Sequence, residues 1–330
     1  MKEQASRSVD RTISIMFPLQ PTDIGTVMMY GRLAEQTQSQ RLWCGQSLAI
    51  ETHQVFAALA GRGLGLEFGS AVALTPLAHP ATAAVRAQTV AALSGARYIA
   101  GFGPGAVAFQ RAVLGEPYAS PLGAMEQYLR IVRGVLDGTV TDAGEGQWHW
   151  AGIEMPHWDL PPVETGVGVL RTGMARLAGR LADWAITWLT PPSYLHDTLS
   201  PVIAEAAVDA QRPIPRIATV VPCAIDRSTR DLTEVAFRAA GTHLRFPHYT
   251  DMLRKAGIDV DKSDPRAGTQ ALLDAGVLLT GSAVDISAGI RRYHEAGVSD
   301  VILSVGGVHM TEGAGAALAD LSAILAASEA

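Results

Sequence analysis

Glu51 and His53 stand two residues apart in GQSLAIETHQ, just past a short apolar run, Arg41–Gly45. A carboxyl group and an imidazole are the residue types that move protons. The imidazole titrates near neutrality, and a half-buried carboxyl can be raised toward it. Gln46 and Ser47 precede the pair and join the candidates for a proton donor, as does His79, although a histidine directly before Pro80 reads first as a helix cap. A second stretch, ARYIAGFGPGAVAF, places Gly101, Gly103 and Gly105 at alternate positions around Phe102 and Pro104. With Ala106 it satisfies the looser dinucleotide fingerprint G-x-G-x-x-[G/A]. A third, with Trp148, His149, Trp150, His157 and Trp158, is either a lid or a small satellite core. Its histidine spacing lacks the carboxylate or cysteine that would complete a metal site.

The elements that must position these residues alternate along the chain. Strand-like runs occur at Arg11–Phe17, Arg41–Gly45, Leu66–Leu74, Arg97–Phe102, Gly166–Thr172, Asp183–Leu189, Pro215–Asp226 and Ser299–Val305. Each is followed by an alanine-rich helical stretch. The helix at 120–138 carries its own start and stop signals: Ser120 as cap, Pro121 in the first turn and Gly138 at the end. Eight strands each followed by helix predict a (β/α)₈ TIM barrel in a single domain spanning residues 1–330. The strands read as continuous apolar runs, as parallel strands buried on both faces do. Two stretches exceed a simple crossover. Residues 139–162, after the fourth strand, read as hairpin and loop, and residues 229–278, after the seventh, as mostly helical.

The 330 residues are 48% hydrophobic, enough for a large core. Twenty-six basic against 32 acidic residues give a net charge of −6, which argues against non-specific binding to nucleic acid or anionic membrane. The N-terminal MKEQASRSVDR has no apolar segment, and no long uncharged run follows. The expectation is therefore a soluble, cytoplasmic protein. Cys44 and Cys223 lie in strand-like runs and read as buried thiols in a reducing compartment.

Context decides what the glycines of GFGPG are. A dinucleotide fingerprint closes the first strand of a βαβ unit and is answered by an acid at the next strand tip about 20 residues on. Here three βα units precede the motif. The downstream acids Glu116 and Glu126 fall in a loop and a helix. The stretch is a turn at the C-terminal rim of the barrel, where catalytic loops lie.

From Leu66 to Gly105, LEFGSAVALTPLAHPATAAVRAQTVAALSGARYIAGFGPG resembles the luciferase-like flavin and deazaflavin oxidoreductases. In that family a strand, an HPA helix, an LSxGR turn and a glycine-rich strand end follow in this order. The GxGPG form and RLAGRLADW (Arg176–Trp184) are most similar to the coenzyme F420 branch, the methylenetetrahydromethanopterin reductase-type enzymes. TGSAVDISAGIRRYHEAGVSDVIL (Thr280–Leu303) matches the family's last βα unit.

The resemblance implies a bulge with a non-prolyl cis peptide behind a deazaflavin ring, at Gly69, Ser70 and Ala71. It implies that Gly101, Phe102, Gly103, Pro104 and Gly105 flank the polar side of the ring, and that Trp43 contacts it. Arg171, Thr172 and Gly173 open a helix whose N-terminus suits the cofactor phosphodiester, as do Gly281–Ser282 and Gly306–Gly307. The alternative for Arg171 is a pair with a surface acid, the more usual fate of a lone arginine. Two departures matter. Ser47 stands where the sugar-phosphate dehydrogenase branch has histidine, and Ala106 where it has glutamate. That acid–base pair is missing, so Gln46, Ser47, Glu51 and His53 become the catalytic candidates. The resulting expectation is an F420-dependent oxidoreductase that transfers hydride through deazaflavin C5 to a C=C or C=N bond of a small-molecule or peptide-derived substrate. The alternatives are an FMN-dependent monooxygenase and a cofactor-free barrel acting as a binding subunit. Relatives dimerise through helices near the second and third strands, which makes a homodimer the expected assembly.

Overall fold

The computed structural model describes residues 11–139, 142, 144, 146–152 and 158–329. Eight parallel strands form its centre: β1 (Thr12–Met16), β2 (Arg41–Cys44), β3 (Glu67–Ser70), β4 (Tyr98–Gly103), β5 (Val163–Gly168), β6 (Trp184–Trp188), β7 (Arg216–Ile225) and β8 (Asp300–Ser304). Each pairs with the next, and β8 pairs with both β7 and β1, so the ring closes. This is the predicted TIM barrel. Around it run α1 (Ile24–Gln36), α2 (Thr52–Ala60), α3 (Pro80–Ser94), α4 (Val107–Leu114), α5 (Pro121–Leu136), α6 (Thr172–Leu181) and α7 (Ser200–Asp209). The ring of helices continues with α8 (Leu232–Ala240), α9 (Pro247–Lys255), α10 (Pro265–Asp274), α11 (Ala283–Glu295) and α12 (Gly306–Glu329).

Local chemistry places the helix ends. The Asp23 carboxylate accepts the Thr26 amide at 2.7 Å to start α1, and Ser120 accepts the Gly123 amide to start α5. Each satisfies one of the orphan donors of a first turn. Gly95 ends α3 in the left-handed region, at φ 66°, which glycine adopts without a Cβ penalty.

Four features differ from the sequence reading. Strand β5 begins at Val163, three residues before the expected Gly166. Its second residue, Glu164, hid the start: the carboxylate is held inside the barrel end by the Trp184 indole N–H at 2.6 Å and by Arg216. Helix α4 occupies residues expected to be loop. In 139–162 no described residue forms a strand, so the expected hairpin is not seen there; His157 lies outside the described residues. The closing helix, which reads in sequence as EGAGAALADLSAILAAS from Glu312, starts already at Gly306, with a kink at Gly313 (φ 86°).

The two ends of the barrel are built differently. At the N-terminal end, the buried Asp300 Oδ2 accepts from Ser14 Oγ (2.9 Å), Arg41 (3.0 Å) and the Trp43 indole (3.1 Å). Arg41 also meets Glu67 at 2.7 Å, and its guanidinium lies 5.3 Å from the Trp184 ring. Above this polar floor an apolar plug fills the interior: Trp43, Ile99, Trp184, Ile186, Ala218, Val220 and Ile302. Met16, Ala71, Val72 and Trp188 lie over the plug and form the floor of the C-terminal mouth.

Candidate functional site

The mouth owes its shape to an extra residue in β3. Phe68 pairs with Tyr98 and Gly69 with Ile99, but pairing resumes at Ala73 with Phe102 and Leu74 with Gly103. Three residues, Ser70, Ala71 and Val72, therefore face two, Ala100 and Gly101. That is a bulge, and it re-aims the chain. The Ser70 hydroxyl replaces the lost ladder bonds, donating to the Gly101 carbonyl (3.0 Å) and accepting its amide (2.9 Å). The peptide between Ala71 and Val72 is cis, within the bulge where the family resemblance puts one.

Glycines keep the opposite wall thin. A Cβ on Gly101 would lie 2.1 Å from the Ser70 carbonyl oxygen, and one on Gly103 would lie 2.7 Å from the Val72 side chain. Beyond them, the buried Gln110 staples the GPG turn. Its amide nitrogen donates to the carbonyls of Pro104 and Gly105 at 3.0 Å each, and its oxygen accepts the Tyr118 amide at 3.1 Å. Gly105 sits at φ 69°, the conformation this turn requires. Phe102 points outward from the barrel, packing on Tyr128 with ring centroids 5.2 Å apart. It supports the turn from behind.

Trp43 takes a different place from the one the resemblance implies. It is fully buried in the plug, with its indole nitrogen on Asp300 and its ring over the Gly69 backbone. The side chain that does reach the mouth is Trp188, at the end of β6. His243 lies beside it, with ring centroids 5.1 Å apart, and Tyr249 packs on His243 at 5.2 Å. Neither the Trp188 indole nitrogen nor His243 Nδ1 has a hydrogen-bond partner. Burial, and then the charge of His248, lower the His243 pKa to about 4, so the imidazole is neutral at physiological pH. The sequence analysis passed over both. Trp188 had the same signal as Trp43, an aromatic residue at a strand end, whereas His243 lies in the 229–278 insertion with no local motif.

Of the three expected phosphate seats, one is open. Ser282 caps α11 in a reciprocal box: its amide and hydroxyl bond Asp285 Oδ2 at 2.9 and 2.6 Å. An anion there would meet a carboxylate already in place. Gly307 packs against α8, where a Cβ would lie 2.1 Å from the Val235 carbonyl oxygen. At α6, in contrast, no side chain caps the N-terminus formed by Arg171, Thr172 and Gly173. The Arg171 side chain is 52% exposed and pairs with Asp251 at 3.4 Å.

The four catalytic candidates fall into two groups. Gln46 and Ser47 are engaged in the loop itself. Gln46 donates to the Ser47 carbonyl (2.7 Å) and accepts the Leu74 amide (2.9 Å), tying β2 to the resumed strand after the bulge. Ser47 Oγ accepts the Ala49 amide at 3.1 Å. Glu51 and His53 form a pair, with His53 Nδ1 2.7 Å from Glu51 Oε1, while Glu51 Oε2 caps α2 through the Gln54 amide at 3.0 Å. Burial pushes the Glu51 carboxyl up. The hydrogen bond and charge of His53, the Gln54 amide and Arg86 outweigh it and hold the group below its ordinary range. Glu51 is thus a carboxylate at neutral pH rather than a raised acid. His79 is a cap, accepting the Ala81 amide at 3.3 Å, with Nε2 3.0 Å from the His149 carbonyl. Trp148 and Trp150 pack around His79, and Trp148 also packs on Tyr118 and Tyr128. Trp148 belongs to the main core and Trp150 packs against it, so neither the lid nor the separate satellite core is formed by them, while Trp158 is exposed.

Both cysteines are buried, and burial pushes the Cys44 thiol up to about 12. Among the described residues no helix is long and apolar enough to cross a membrane. None of their His, Cys, Asp and Glu side chains form a group of three that could hold a metal ion.

A parallel barrel with a bulged third strand and a glycine turn at the fourth defines the structural class. Residues 12–300 match the family model for the luciferase-like monooxygenases, and the chain belongs to that family. No curated protein sequence is a significant match. Among solved structures, an F420-dependent secondary alcohol dehydrogenase bound to an F420–acetone adduct superposes with a TM-score of 0.69 at 16% identity, covering 92% of this chain and 99% of its own. The coenzyme F420-dependent tetrahydromethanopterin reductase of Methanopyrus kandleri gives 0.71 at 18% identity, covering 95% and 99%. The oxygenating constituent of 3,6-diketocamphane monooxygenase from Pseudomonas putida, with FMN bound, gives 0.70 at 17% identity, covering 97% and 98%. At these identities the likeness is one of fold.

Proposed function

We propose that the protein is a coenzyme F420-dependent oxidoreductase that reduces a C=C or C=N bond of an organic substrate. The observation that carries the reading is the mouth itself. A flat apolar floor of Met16, Ala71, Val72 and Trp188 is walled on one side by side-chain-free Gly103. The unpartnered nitrogens of Trp188 and His243 stand at its edge. A planar ring system with polar edges suits such a floor, and a glycine wall lets it lie close to backbone. When bound, the deazaflavin would supply hydride from C5.

The chain's own residues have separable tasks in this reading. The Ser70 hydroxyl fixes the bulge that sets the depth of the floor. Gln110 fixes the GPG turn beside it. The uncapped amides of α6, with Arg171 released from Asp251, offer the seat for a phosphodiester. In this reading the proton comes from solvent, while Gln46 and Ser47 hold the loop that carries the Glu51–His53 pair. A homodimer through the helices after β2 and β3 fits the same reading.

Two neighbours of comparable fold similarity are F420-dependent enzymes, and one has FMN bound. The FMN-bound neighbour makes an FMN-dependent monooxygenase the second reading. Equilibrium binding of F420 against FMN, followed by tryptophan fluorescence, separates the two because Trp188 lines the floor. Tighter binding of F420 and anaerobic turnover of reduced F420 support the first. Strict oxygen consumption with reduced FMN would overturn it, and failure to bind either cofactor would favour a non-catalytic barrel.

A further inference from the structure

Strand β8 ends in a buried serine. Asp300 lies in the polar floor and Ile302 in the apolar plug, so alternation along the strand sends Ser304 to the same inward side, one layer higher. Its pairing with Pro222, and the register that runs from Thr12–Asp300 to Ile15–Leu303, set it between β7 and Met16 of the mouth. A Cβ on Gly306 would lie 3.6 Å from Ser304 Oγ and 3.3 Å from the Pro18 carbonyl oxygen. The hydroxyl therefore stands at the rim, beside the loop after β1 and the start of α12. Ser304 is only 4% exposed, yet its hydroxyl has no hydrogen-bond partner among the described residues. It is not sealed in as His53 Nε2 is, and so stays open to a group in the mouth. The neighbouring Cys223 thiol meets the Ser304 backbone, not the hydroxyl.

The wall facing Ser304 offers different chemistry. Strand β4 lies opposite β8 across the closed ring of strands. There Gly103 presents bare backbone, and no side chain caps the first turn of α4, whose amides are donors only. The pyrimidinedione end of a flavin-type ring carries carbonyl groups and suits those donors. The other end of the tricycle then reaches β8. At that end a flavin has two methyl groups, whereas an 8-hydroxy-5-deazaflavin, the ring of F420, has a hydroxyl. A serine hydroxyl both donates and accepts, so it can pair with a ring hydroxyl in either sense. Against methyl groups it would be cut off from water without a partner, which is how a polar site rejects an analogue. We infer that Ser304 is a specificity-determining residue: its hydroxyl pairs with the hydroxyl edge of a deazaflavin and disfavours the dimethyl edge of a flavin. This rests on the mouth being the seat of a planar ring, as proposed above.

The probes are 8-hydroxy-5-deazariboflavin and 5-deazariboflavin, which share a ribityl tail and differ only along that edge of the ring. Binding to the full-length chain is read by quenching of tryptophan fluorescence, since Trp188 lines the mouth. The parent should prefer the hydroxylated ring by roughly five- to a hundredfold, as stranding one buried polar group does. Ser304→Ala should erase most of that preference. Its urea midpoint should not fall, because the hydroxyl has no partner in the protein to lose. Equal affinities in the parent, a preference that survives intact in Ser304→Ala, or a lowered midpoint would each overturn the role of Ser304 and leave the reading of the mouth standing. A parent chain that binds neither ring would overturn that reading, and the role of Ser304 with it.

Discussion

Gln110→Met tests whether one buried side chain holds the glycine turn at the mouth. The replacement keeps the length of the side chain and its helix propensity but removes its donors and its carbonyl. Three backbone groups lose their partner: the Tyr118 amide and the carbonyls of Pro104 and Gly105. The Tyr118 amide is buried, and stranding it costs about 1–3 kcal/mol. Pro104 and Gly105 are half-exposed, so water can take their carbonyls, and each contributes at most about 1 kcal/mol. The sum, about 1–5 kcal/mol, is a sizeable fraction of the roughly 5–15 kcal/mol by which proteins are stable. Urea unfolding followed by tryptophan fluorescence should show a lower midpoint at unchanged slope. Cofactor binding should weaken with it, because the turn flanks the mouth. A destabilisation under about 0.5 kcal/mol together with unchanged cofactor affinity would refute the argument that Gln110 holds the turn.

Gly101→Ala should leave little folded protein in a soluble-expression and circular-dichroism comparison. Its Cβ would sit 2.1 Å from the Ser70 carbonyl oxygen and 2.4 Å from Ile186 Cδ1, an overpacking against backbone that costs upward of about 3 kcal/mol. Asp300→Ala should destabilise by about 3–5 kcal/mol in the same unfolding assay, since it breaks a buried ion pair and removes the shared acceptor of Ser14, Arg41 and the Trp43 indole, leaving Arg41 only Glu67. Stability should also fall with acid because of His243. Its folded pKa lies near 4, below the ordinary 6.5, so the unfolded chain binds the extra proton between those values. The contribution is fully present above about pH 6.5 and is lost toward pH 4, by an amount of order 2–3 kcal/mol. His243→Gln should flatten the midpoint-versus-pH curve over that window, and an unchanged curve would place the titration elsewhere.

The barrel was legible because parallel strands buried on both faces must be apolar throughout, and eight such runs alternate with alanine-rich helices. The same rule misplaced the start of β5. Glu164 breaks the apolar run, and its partners Trp184 and Arg216 are 20 and 52 residues away. Helix α4 was missed because the glycines before it read as loop, and the side chain that anchors its start, Gln110, looks in sequence like any surface glutamine. At the site, residue type found Glu51 and His53, but only the fold shows that Glu51 is a held carboxylate and that His53 is buried against it. Strand alternation would have turned Trp43 inward; it could not have shown that its indole reaches down to Asp300. His243 stands 55 residues beyond Trp188, and no local pattern joins them.

The barrel's two ends carry different histories of change. The N-terminal end is locked by ion pairs among residues drawn from β1, β2, β3 and β8, so substitutions there must be compensated together. At the mouth, the shape is set by a bulge, a glycine turn and short side chain-to-backbone ties, each confined to one or two loops. Loops of that kind can drift in sequence, lengthen and exchange partners while the frame below is inherited intact.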